Sequence, residues 1–136
     1  MTEIRRVNPA EAHTLIDRGY VYIDVRAVAE FEAGHPKGAF NVPVTEPDFV
    51  SVVQGRFEKD AKIVVGCLAG GRSLKAAGLL LGAGFTDVVD QRAGWGGARD
   101  AFGAVTEAGW ERAGLPTETS TEPGKSYHAI KAGQGT

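Results

Sequence analysis

The stretch IVVGCLAGGRSLKAAGLLL, residues 63–81, decides the fold. Ile63, Val64 and Val65 form a β-branched run that ends at Gly66, and a nearly all-apolar stretch of helical spacing begins a few residues later. Cys67, the chain's single cysteine, therefore falls where a buried strand turns into a helix. Open α/β sheets place their chemistry at that edge. Leu68, Ala69, Gly70, Gly71 and Arg72 are expected to wrap the sulfur with their backbone N–H groups converging on it, because adjacent glycines reach φ values that a side chain forbids. The helix starting near Ser73 points its positive end at the same place, and the Arg72 guanidinium keeps its charge. Each of these effects favours thiolate over thiol. The bland alternative is a buried cysteine acting as a small hydrophobe, which leaves the Gly-Gly-Arg-Ser directly after it unexplained.

Working outward, residues 3–7 read as a short first strand, and Asn8-Pro9 as an N-cap with proline at the first helical position. Residues 20–25 form a strongly apolar second strand with Asp24 and Arg26 at its C-terminal end, on the Cys67 edge. Either Arg26 donates to a substrate anion, or the two side chains form a buried ion pair that fixes loops around the site, the commoner use. Residues 39–42 make a third strand, Asp48 caps a helix carrying Phe49, Val52 and Val53, and residues 86–89 form the last strand. Arg92, Trp95 and Arg99 leave it on the active edge, either as pocket walls that attract an anion or as ordinary loop surface. Residues 102–113 are expected to include a final helix packing Val105 and Trp110, with the domain spanning 1–116. Residues 117–136 carry few large apolar groups and are expected to form a flexible tail, with Tyr127 and Ile130 as the side chains that could dock on the domain or on a partner.

The loop CLAGGRS resembles the C-x-x-G-x-R-S active loop of the rhodanese sulfurtransferases. Upstream, Ile23-Asp24-Val25-Arg26, Glu30-Phe31 and the run from Gly34-His35-Pro36 to Asn41-Val42-Pro43 are similar to that family's D-V-R, E-F and G-H-I-P-G-A-x-N-I-P signatures. Downstream, Gly109-Trp110 and Gly114-Leu115-Pro116 resemble the ending of its single-domain members. The likeness runs in order over residues 4–116 and implies a single rhodanese-like α/β domain, a five-stranded parallel sheet with helices on both faces. It also implies a sulfurtransferase carrying sulfur as a Cys67 persulfide, with Leu68, Ala69, Gly70, Gly71, Arg72 and Ser73 around the substrate sulfur and Asp24 and Arg26 in support. Leu68 and Ala69 depart from thiosulfate-using members, which often place cationic or polar side chains there.

The expected chemistry is ping-pong: the thiolate takes a sulfur from thiosulfate, mercaptopyruvate or a persulfide and passes it to cyanide or a thiol, including a protein thiol. Both leaving groups are stable anions, so no general base is needed, and no metal or other cofactor is called for. Four residues separate Cys67 from Arg72, a tighter loop than the C-x5-R of cysteine phosphatases, and one suited to a single sulfur. The competing expectation is a rhodanese-like interaction module with a silent cysteine. At 136 residues the chain holds one domain. A net charge of −2 without a basic stripe speaks against nucleic acid or an anionic membrane surface. The first residues lack an apolar signal core, and the longest apolar run is far below the ~20 residues of a membrane span, which gives the expectation of a cytoplasmic protein.

Overall fold

The computed structural model describes residues 3–133. Five short strands, β1 (Arg5–Val7), β2 (Val21–Asp24), β4 (Phe40–Asn41), β5 (Lys62–Gly66) and β6 (Asp87–Gln91), make one sheet in the order β1-β6-β5-β2-β4. Every pairing in it is parallel. Parallel strands need crossovers, here supplied by helices α1 (Pro9–Asp17), α2 (Val28–Glu32), α3 (Phe49–Arg56) and α4 (Gly71–Gly82). Asn8 caps α1 reciprocally with Glu11, as the Asn-Pro start predicts.

Alternation along the strands sends successive side chains to opposite faces. Ile23, Ile63, Val65 and Val88 pack with Phe49, Val52 and Val53 of α3 and Ala76, Ala77 and Leu80 of α4. Tyr22, Val64 and Val89 point the other way, against Ala12 and Leu15 of α1, Phe31 of α2 and Trp110. The helices thus cover both faces. Cross-strand register aligns Asp24, Gly66 and Gln91, so the chain leaves all three central strands at one edge.

Three expectations fail, each for a physical reason. The helix foreseen within 102–113 is a hairpin, β7 (Ala98–Arg99) against β8 (Val105–Glu107), antiparallel. Asp100 Oδ1 accepts from the N–H groups of Phe102 and Ala104, and Gly103 turns at φ 82°, which closes the chain before a helix can nucleate. Trp110 is buried as expected, whereas Val105 is largely exposed. Asp48 is the N-cap residue of α3, its carbonyl accepting from Val52 N–H at 2.9 Å, but its side chain makes no capping bond; the carboxylate instead accepts from Tyr127 Oη at 2.7 Å and pairs with Lys131 Nζ at 2.9 Å.

Those two partners belong to the segment expected to be a flexible tail. Thr117–Glu118 adds strand β9, antiparallel to β3 (His35–Pro36), and Tyr127–Gly133 forms helix α5. Tyr127 and Ile130 are both buried in the core beside α3. The segment lacks enough apolar surface to fold alone, but two large side chains entering an existing core suffice to dock it. Residues 134–136 of the expected tail lie outside the described residues. Ile130→Ala is expected to lower unfolding free energy by about 2–5 kcal/mol, the usual cost of emptying such a site. Urea denaturation followed by circular dichroism checks it; a change within error would mean α5 contributes nothing to stability.

Candidate active site

Cys67 follows β5 at the carboxyl edge of the sheet and is 2 % exposed. Gly66 precedes it because a Cβ there would overlap the Tyr22 hydroxyl. The turn is made by Gly70, whose φ of 102° suits only glycine and which serves as the N-cap of α4. This conformation aims the Gly70 N–H at Cys67 Sγ, N to S 3.0 Å. Ser73 Oγ lies 3.4 Å from the sulfur on the other side and bonds the Gly70 carbonyl at 3.4 Å. The N–H groups of Leu68, Ala69, Gly71, Arg72 and Ser73 have no acceptor within the described residues. The last three are the free donors of a helix N-terminus, the natural seat of an anion.

Of the amides expected to converge on the sulfur, one touches it. The others in the loop have no acceptor among the described residues. Arg72 also differs from expectation: its Nη1 and Nη2 grip the Glu30 carboxylate at 2.7 and 3.0 Å, so no guanidinium nitrogen is spent on Cys67. The pair stands beside the loop and supplies field rather than contact. The Arg72 guanidinium holds the Glu30 carboxyl below the usual carboxylate range. A depressed carboxyl stabilises the fold above its unfolded pKa of ~4.3, and that contribution disappears as pH falls through the folded value. Both side chains are about one-third exposed, 34 % and 33 %, so solvent limits the gain to less than ~1 kcal/mol. Glu30→Gln is therefore expected to cost that small amount at pH 7 and less at pH 3. Paired urea midpoints at the two pH values test this, and a loss undiminished in acid would contradict it.

Asp24 and Arg26 form a buried pair, Nη2 to Oδ2 2.7 Å, with Arg26 also donating to the Gly34 carbonyl at 2.7 Å. Asn41 Nδ2 ties the carbonyls of both residues at 3.0 Å each. Burial pushes the Asp24 carboxyl up, and Arg26 pulls against it. With Arg26 2 % exposed and its Nε and Nη2 committed to Asp24 and Gly34, the arrangement fixes the ends of β2 and β4. Trp95 lies on this side too, its ring 5.1 Å from the Arg26 guanidinium.

The loop after β6 forms the opposite wall. Gln91 Oε1 accepts from Ala93 and Gly94, both at 2.8 Å, and this turn lets Trp95 N–H bond the Cys67 carbonyl at 2.7 Å and Gly96 N–H the Leu68 carbonyl at 2.8 Å. The Cys67 peptide is thereby held from outside its own loop. Arg92 and Arg99 line a cleft of about 420 Å³ together with Arg6, Ala69, Ala98, Thr106 and Glu107. Ala69 is the loop residue that meets this cleft, whereas Leu68 projects into solvent at the rim. Glu30, Gln91 and Arg6 were not foreseen as site residues. Glu30 stands in the Glu-Phe pair quoted above, but Gln91 becomes visible only once β6 is set in register beside β5, and Arg6 only once β1 is set beside β6.

A buried sulfur on a glycine-turned loop, at the edge of a sheet in this strand order, is also what comparison with known proteins returns. The family model described as Rhodanese-like domain matches residues 8–100. The chain belongs to the rhodanese-like domain family. Among its rhodanese-like relatives is thiosulfate sulfurtransferase 16, chloroplastic, of Arabidopsis thaliana, 39% identical over 121 residues, covering 82% of this chain and 91% of that protein. The thiosulfate sulfurtransferase GlpE of Pseudomonas fluorescens is 33% identical over 110 residues, covering 80% and 97%. Among solved structures, the rhodanese-like domain of the Anabaena Alr3790 protein has a TM-score of 0.59 at 29% identity, covering 79% of this chain and 97% of that one. A crystal structure from M. tuberculosis with a TM-score of 0.74, covering 88% and 100%, is 24% identical and speaks for the rhodanese fold alone. The cytoplasmic expectation is narrower than these findings. No helix among the described residues is long and apolar enough to cross a membrane, and the Arabidopsis relative is named chloroplastic.

Proposed function

We propose that this rhodanese-like domain is a sulfurtransferase that carries sulfane sulfur on Cys67. Family membership and relatives named thiosulfate sulfurtransferase support sulfur transfer in general. The observation that carries the finer reading is the loop itself: one amide on Sγ at 3.0 Å and five more without acceptors, on the sheet edge. A thiol needs one donor at most. A sulfur with a second, negatively charged sulfur bonded to it needs several.

The steps follow from that geometry. The Cys67 thiolate attacks the outer sulfur of a donor, the donor's S–S or C–S bond breaks, and the electron pair leaves with sulfite or an organic fragment. The product is Cys67–S–S⁻, its charge facing the amides of Leu68, Ala69, Gly71, Arg72 and Ser73 and the N-terminus of α4. An acceptor such as cyanide or a thiolate then attacks the outer sulfur and the pair returns to Sγ. No proton has to be moved by the protein in either step. His35 is committed elsewhere, its Nδ1 bonding the Phe31 carbonyl at 2.7 Å and its Nε2 lying 3.2 Å from Glu118.

Initial rates measured over a grid of donor and acceptor concentrations test this reading. A covalent sulfur intermediate gives parallel double-reciprocal lines. Lines that intersect would put donor and acceptor on the enzyme together and overturn it.

A further inference from the structure

The cleft beside the Cys67 loop is far larger than a single sulfur requires. Its volume of about 420 Å³ falls in the range of sites for small organic molecules, roughly 300–1,000 Å³. Three of its lining residues are arginines, Arg6, Arg92 and Arg99, against one carboxylate, Glu107, which Arg92 Nη2 already holds at 2.9 Å.

Arg6 is placed with particular firmness. Its Nε donates to Asp90 Oδ2 at 2.7 Å, and Asp90 is fully buried on β6 between β1 and β5, its Oδ1 without a partner among the described residues. A buried carboxylate left half satisfied is costly, and it fixes the guanidinium that answers it. The Nη2 of Arg6 comes within 3.2 Å of where a Cβ on Gly70 would stand, so this cation lies directly over the turn of the active loop. Arg99 donates to the Gly103 carbonyl at 2.9 Å and has no carboxylate partner among the described residues. Thr106 adds a hydroxyl to the same wall.

We propose that this cleft binds the carboxylate groups of a small organic thiol and delivers that thiol to the Cys67 persulfide, which makes a di- or tricarboxylate thiol the favoured acceptor. The inference rests on the sulfur-transfer reading for its chemistry but on the cleft alone for its binding. Arginine forks match carboxylates bidentately, and Arg6 and Arg99 present two such forks with Arg92 between its own partner and the ligand. With carboxylates seated there, the thiolate R–S⁻ attacks the outer sulfur of Cys67–S–S⁻, the S–S bond breaks, and its electron pair returns to Sγ. The products are R–S–S⁻ and the Cys67 thiolate, with no oxidant or reductant consumed. Cyanide, lacking carboxylates, gains nothing from the cleft.

Mercaptosuccinate and the neutral 2-mercaptoethanol are the acceptor probes. The ratio of their kcat/KM values is expected to favour mercaptosuccinate, and Arg99→Gln to cut that ratio about tenfold, as loss of one charged hydrogen bond does. Lys62→Gln, which removes an exposed cation at the far end of β5, serves as the charge control and is expected to leave the ratio alone. Binding is read separately by calorimetry on Cys67→Ser protein with (methylthio)succinate, which cannot accept sulfur. Binding there that is lost with Arg99→Gln or Arg92→Gln supports the cleft even if no persulfide ever forms. A persulfide that forms on Cys67 while (methylthio)succinate binds no better than 2-(methylthio)ethanol overturns the cleft and leaves sulfur transfer standing. Equal falls in the ratio for Arg99→Gln and Lys62→Gln would likewise overturn it, reducing the effect to net charge.

Discussion

Cys67→Ser protein is expected to fold normally and to transfer no sulfur, with turnover down by about 10⁴-fold or more, the scale seen when a nucleophile is removed. Serine is nearly isosteric and keeps an acceptor for the Gly70 amide that now donates to Sγ at 3.0 Å, so the loop has no reason to rearrange. What it lacks is an atom that ionises near neutral pH and forms a bond to sulfur that a second thiol can reverse. Coupled assays with cyanide and with a thiol, alongside the melting temperature, measure both halves of the expectation. Turnover that survives the substitution would place the chemistry elsewhere, and in the silent-module reading no activity would be there to lose.

The second large effect is on the scaffold. Arg26→Ala is expected to cost about 3–5 kcal/mol of folding free energy, because it leaves the Asp24 carboxylate, 1 % exposed, without its partner. The Gly34 carbonyl loses its donor in the same change, and the Trp95 ring loses the cation 5.1 Å from its centre. Since Asp24 lies level with Gly66 in the sheet register, loosening this corner also disturbs the residue before Cys67. Urea unfolding measures the loss. A cost below about 1 kcal/mol would mean that Asp24 is relieved by protonation or by water once its partner is gone, and that the pair does not hold this corner.

The strands and the Cys67 loop were legible because their physics is local. A β-branched run, a cysteine and a Gly-Gly turn stand within ten residues, and the Asn8-Pro9 start of α1 carries its cap in the sequence. The hairpin at 98–107 was missed because the expected helix rested on two large apolar side chains, Val105 and Trp110, which share no helix face at a spacing of five, while Gly97, Gly103 and Gly109 disfavour helix. Residues 117–133 were missed for a different reason. Composition says whether a segment folds alone, and Tyr127 and Ile130 needed only a vacancy beside α3, which no local pattern reports. Arg72 was assigned to the sulfur by its position five residues on, but Glu30 sits 42 residues away and claims both of its terminal nitrogens. Arg6 could be placed at the site only through the pairing of β1 with β6.

The central claim is that the amides around Cys67 are arranged to hold a persulfide. Intact-protein mass spectrometry after exposure to thiosulfate, mercaptopyruvate or a low-molecular persulfide tests it directly, with peptide mapping to locate the adduct. One added sulfur on Cys67, absent in Cys67→Ser protein and removed by cyanide, is the predicted result. A protein that stays unmodified with every donor, or takes up sulfur that cyanide cannot remove, would contradict it.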